Sequence, residues 1–147
     1  MTHTFQKFRK NAGFTLLELL VVISIIGILI AISAAAFTTA QQKARNAKRQ
    51  GDVNAMSKAF EQYYASTNGS YANTCTAMAG SLVGGTLPTD PKTGVGYACA
   101  SSTASNTYCI CARLEPNTTT EGNSNSGATT CAGLGTAGSY FCTRNQQ

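Results

Sequence analysis

Histidine and carboxylates are scarce in this 147-residue chain. His3 is the only histidine, tryptophan is absent, and beyond position 70 the only acidic residues are Asp90, Glu115 and Glu121. A histidine-based triad, a histidine metal site or a paired-carboxylate hydrolase has almost nothing to build from. The composition therefore argues against an enzyme and implies no cofactor. Charged residues make up 12% of the chain, about half the usual share.

What the chain has is unevenly placed. Between Phe14 and Phe37 only Thr15, Glu18, Ser24, Gly27 and Ser33 are not strongly apolar. The rest is poor in core formers and rich in Ser, Thr, Asn and Gly, and it holds all six cysteines: Cys75, Cys99, Cys109, Cys111, Cys131 and Cys142. The net charge of +5 is also local. Lys7, Arg9 and Lys10 precede the apolar run, and Lys43, Arg45, Lys48 and Arg49 follow it. These read as the basic flanks of a membrane segment rather than as a nucleic-acid footprint, and a nucleic-acid partner is left open.

Six cysteines in a polar tail read as a disulfide framework in an oxidising compartment. The competing zinc reading is weaker, because Cys109-Ile110-Cys111 has one intervening residue where a common zinc ribbon has two to four. No metal is expected. A 24-residue run gives about 36 Å of helix, enough to cross a bilayer core. It is too long for the apolar region of a secretory signal peptide, which is about 7–15 residues. An ordinary signal anchor leaves Glu18 unexplained, since a carboxylate in a membrane helix is costly. No Lys or Arg lies between Phe14 and Gln42 to pair with it.

Lys10-Asn11-Ala12-Gly13-Phe14-Thr15-Leu16-Leu17-Glu18-Leu19-Leu20 resembles the class III signal of type IV prepilins and their pseudopilin relatives. The resemblance implies cleavage between Gly13 and Phe14 by a prepilin peptidase on the cytoplasmic side, and N-methylation of Phe14. It also gives Glu18 a partner: the new cationic α-amine of Phe14 on a neighbouring subunit. In a low-dielectric helix bundle such a pair sets register, because a mismatched stack leaves a charge unpaired. Softer matches at Ala44 to Asp52, Tyr63-Tyr64 with Asn68-Gly69-Ser70-Tyr71, and Leu87 to Pro91 extend the resemblance. Ala34-Ala35-Ala36 stands where many pilins carry a proline. The family's calcium sites need several oxygen ligands in one loop, and Asp90 stands nearly alone.

Past Phe37 the helical spacing continues through Ala40, Ala44 and Ala47, then Val53, Met56, Phe60 and Tyr63 or Tyr64. Lys48 with Asp52 and Lys58 with Glu61 are spaced to pair. Asn68-Gly69 is a stop signal, so one helix is expected from Phe14 to near Thr67. Residues 94–100 and 107–114 read as strands. In the second, Tyr108, Ile110, Ala112 and Leu114 alternate with Cys109, Cys111 and Arg113. Residues 116–130 read as polar loop and 133–138 as glycine-rich turn. Asn68 and Asn117 match the N-x-S/T acceptor pattern, and glycosylation is left unassigned.

The expected organisation is a cleaved leader at 1–13, a membrane or filament-core helix at 14–37, its amphipathic continuation at 38–67, and a disulfide-rich head at 68–147. The fold class is α+β: one long helix packed on a small antiparallel sheet. Six cysteines allow 15 pairings. Local geometry favours Cys99 with Cys109 across a hairpin, Cys131 with Cys142, and Cys75 with Cys111 as the remainder. Cys109 and Cys111, on one side of one strand, are expected to reach separate partners.

The resemblance implies a pilin that polymerises with itself into a surface fibre for adhesion, motility or DNA uptake. Its other partners would be the prepilin peptidase, the inner-membrane pilus assembly machinery and the bilayer before assembly. The precursor would sit in the inner membrane with its C-terminus outside. A pseudopilin of a secretion or competence system is the alternative, and a monomeric anchored binding module is the rival from another class.

Overall fold

The computed structural model describes residues 13–125, 131 and 134–147. The chain divides into two compact units between Thr38 and Thr39. A 51-residue helix, α1 (Leu16–Ser66), contributes to both. In the first unit α1 is apolar on every side and exposed, with Leu16, Leu29 and Ile32 at 88%, 58% and 66% of full exposure. Its two serine hydroxyls are satisfied by its own backbone: Ser24 Oγ donates to the Leu20 carbonyl and Ser33 Oγ to that of Leu29, each at 2.8 Å. Serine hydroxyls bonded back to the helix carbonyls in this way suit a hydrocarbon medium.

The second unit is the head. Here α1 becomes amphipathic, burying Asn46, Arg49, Val53, Met56, Ser57, Ala59 and Phe60. The stripe from Val53 follows the expected spacing. Ahead of it, Ala44 and Ala47 lie outside and Asn46 with Arg49 lie inside, because the groups they face are carboxylate and carbonyl oxygens. The helix stops where Asn68 and Gly69 take left-handed conformations, with φ of 56° and 77°.

Five antiparallel strands follow a 3-10 turn at Cys75–Ser81. They are β1 (Ala98–Ser102), β2 (Thr107–Arg113), β3 (Gly122–Ser124), β4 (Leu134–Gly138) and β5 (Tyr140–Arg144), in the spatial order β1-β2-β5-β3-β4. Tyr108, Ile110 and Ala112 face the helix and join Phe60, Tyr71 and Met78 in the core. Rings meet edge-on there, Phe60 with Tyr108 at 5.2 Å and Tyr71 with Tyr108 at 5.0 Å between centroids. The architecture is the α+β one expected.

The strand boundaries differ from expectation in the C-terminal half. The polar stretch after Pro116 contains β3, and Leu134–Gly138 of the glycine-rich stretch is β4 rather than turn, residues 126–130 and 133 lying outside the described ones. Glycine is what makes this corner of the sheet possible. A Cβ on Gly122 would overlap the Tyr140 carbonyl, and one on Gly138 would overlap that of Ser124. The strands approach too closely for side chains. Residues 94–97 do not join β1 and make only a bridge, Gly96 with Thr89.

Candidate assembly site

Gly13 and Phe14 precede the helix and are exposed, Phe14 at 87%. Thr15 is the N-cap and Glu18 closes back on it. The Thr15 amide donates to Glu18 Oε2 at 2.8 Å, the Thr15 hydroxyl donates to the same oxygen at 2.9 Å, and the Glu18 amide donates to Thr15 Oγ1 at 3.2 Å. This reciprocal arrangement is a capping box, which satisfies two of the amides left open at a helix start. The Thr-x-x-Glu spacing ahead of an apolar run signals it. Glu18 therefore has a local role. A carboxylate has a second oxygen for further donors.

The head also holds a polar hub that no local motif signals. Arg49, whose side chain is 3% exposed, bridges Asp90 at 2.5 Å and Glu115 at 2.6 Å. Arg45 and Lys92 add contacts to Glu115 at 2.8 and 3.0 Å. Asn46 clamps the Glu115 backbone, donating to its carbonyl at 2.6 Å and accepting from its amide at 2.9 Å. Two of the four cations taken as membrane flank are thus spent inside the head. The hydrogen bond from Arg45 leads in holding the Glu115 carboxyl at about 2. Arg49 holds Asp90 well below the usual carboxylate range, helped by the amides of Thr93 and Lys92. With both Asp90 oxygens engaged by Arg49 and the adjacent loop, the residue acts as a hub partner. Lys48 pairs with Asp52 at 3.2 Å as expected. Glu61 instead accepts the hydroxyls of Tyr71 and Tyr108, each at 2.9 Å, from under the core rings. Burial, reinforced by this carboxylate, pushes both phenols up.

All six cysteines are in disulfides: Cys75–Cys99, Cys109–Cys131 and Cys111–Cys142. Cys109 and Cys111 take separate partners, as expected. None of the three favoured pairings forms. The hairpin register sets Cys99 opposite Ile110, not Cys109, and one step of register moves a side chain to the other face. Cys99 thus joins Cys75 on the core side, while Cys109, Cys111, Cys131 and Cys142 cluster outside. Cys111 lies directly opposite Cys142.

Residues 8–34 match the family model described as the prokaryotic N-terminal methylation motif. The match takes in Gly13, Phe14 and Glu18. No curated protein and no solved structure shows significant similarity to the chain.

Proposed function

We propose that this chain, which carries the N-terminal methylation motif of type IV pilins and pseudopilins, is a pilin: a structural subunit that polymerises into a type IV pilus. The observation that carries the reading is the first unit of α1. It is long and apolar enough to cross a membrane, unburied on all sides, and bears a single carboxylate one turn from the motif's cleavage point. An anchor needs only the apolar surface. A filament core needs that surface and a device for register.

In this reading the peptidase cuts after Gly13, at the exposed residues before the helix, and Phe14 becomes the methylated terminus. Methylation leaves the amine cationic. The precursor sits in the inner membrane with its head outside, where the cysteines oxidise. As subunits leave the bilayer and stack, the Phe14 ammonium of one meets Glu18 of the next. The capping box supports this role, because Thr15 fixes the carboxylate at the helix start before the neighbour arrives. Preorganisation of that kind lowers the entropy cost of pairing.

A pseudopilin shares leader and helix, so the distinction rests on the head. Three disulfides in about eighty residues favour a subunit exposed to the exterior and to shear. Electron microscopy of cells stained with an antibody to the head tests the reading. Long labelled surface filaments support a pilin; labelling confined to the envelope, with secretion lost on deletion, supports a pseudopilin.

A further inference from the structure

The outer face of the sheet concentrates four sulfurs in one buried place. Cys109 and Cys111 project from β2, Cys142 from β5, and Cys131 reaches in from the segment before β4. All four are at most 7% exposed, and Tyr140 packs against them. The Sγ atoms of Cys109, Cys111 and Cys131 lie within 4.8 Å of one another, and Cys142 Sγ is bonded to that of Cys111. The two strand neighbours, Cys109 and Cys111, stand 3.9 Å apart at sulfur. A tetrahedral zinc–thiolate centre with Zn–S bonds of about 2.3 Å has sulfur–sulfur edges of about 3.8 Å. One edge of such a centre is therefore already built by the pitch of a single strand.

We propose that the head, once these two disulfides are reduced, holds one Zn(II) ion on Cys109, Cys111, Cys131 and Cys142. The remaining edges open by rotation of each side chain about χ1 between its staggered wells, without moving the strands. Charge favours the same place. A four-thiolate zinc centre is a dianion, and the β2–β5 register sets Arg144 opposite Cys109 and Arg113 opposite Tyr140, two residue pairs beyond Cys111–Cys142. An arginine thus stands at each end of the sulfur cluster on its own face. Cys75 and Cys99 sit on the other face and take no part. Zn(II) would tie the same strands that the disulfides tie, so the head has two interchangeable staples, one for each redox state.

Each disulfide is cleaved by one phosphine, which leaves as its oxide with oxygen from water, and the two sulfurs take the water protons. Zn(II) then displaces the four thiol protons.

The test uses the full chain in detergent micelles, reduced with a phosphine under argon and titrated with Co(II) as a coloured stand-in for Zn(II). One Co(II) per chain is expected, with thiolate charge-transfer and tetrahedral ligand-field bands that Zn(II) abolishes. Zn(II) should also protect four cysteines from alkylation and leave Cys75 and Cys99 modified. Cys109→Ser should lose the tetrahedral spectrum, whereas the Cys75→Ser/Cys99→Ser double variant should keep it. No tetrahedral spectrum from the reduced chain overturns the proposal. So does equal loss from both variants, which marks chelation by an unfolded chain.

Discussion

Arg49 illustrates how a residue can change meaning between sequence and structure. In the sequence it is one of four cations after an apolar run. In the fold it is buried and holds two carboxylates that arrive from 41 and 66 residues away. Removing one partner of a buried ion pair leaves the others uncompensated, at a cost of about 3–5 kcal/mol. Arg49→Ala is therefore expected to lower head stability by about 3 kcal/mol or more, read from the urea midpoint at constant m-value. The same hub sets an acid limit. Asp90 and Glu115 have depressed folded-state pKa values, so they stabilise the fold above their unfolded values of about 4. That contribution is lost as pH falls toward the folded value of about 2 for Glu115. Between pH 5 and about 2 the wild type should lose stability steeply and Arg49→Met less, because Asp90 loses its main partner while Arg45 still holds Glu115. Parallel urea midpoints would refute the assignment.

Glu18 carries a second residue-level expectation. Replacement by Ala removes half of the capping box, a loss of about 1 kcal/mol at the helix start, and eases membrane insertion. Glu18→Ala should be inserted and processed yet yield few or no filaments in sheared-fibre preparations. Glu18→Gln separates the two roles, since an amide oxygen can still cap the helix but cannot pair with an ammonium. Normal fibres from the Gln variant would leave only the cap.

At the scale of elements, the legible features are those with a local signal. The long helix, its end at Asn68-Gly69, the two faces of β2 and the Val53–Met56–Phe60 stripe all follow from spacing or turn chemistry. The disulfides do not, because pairing depends on register. A hairpin centred on Ala104 opposes Cys99 and Cys109; the observed one places its turn half a residue later and opposes Cys99 and Ile110. That half-step sends Cys99 to Cys75 and frees Cys109 for Cys131. β3 and β4 were hidden for a different reason: their glycines serve close backbone approach, which has no apolar pattern. The Cys75–Cys99 bond closes a loop of separation 24, worth about 3.5 kcal/mol in the chain-entropy model. The Cys75→Ala/Cys99→Ala chain should be less stable by about that amount. Non-reducing peptide mapping should recover Cys109–Cys131 and Cys111–Cys142 unchanged in it.

The whole molecule is a head that folds by burial and a helix segment that has nothing of its own to bury. Val53, Phe60, Tyr71, Met78, Tyr108 and Ile110 all belong to the unit from Thr39 onward, as do the hub and every disulfide. Stability and assembly should therefore separate cleanly. A chain starting at Thr39 retains the entire core and loses the exposed apolar surface between Phe14 and Phe37. It is expected to be a soluble monomer by gel filtration, with native near-ultraviolet dichroism and the same three disulfides. Conversely, the Glu18 variants should melt like wild type when the head signal is followed in detergent. If the truncated head aggregated or lost its tertiary dichroism, the apolar helix would have to be part of the fold, and the division of labour between the two units would fall with it.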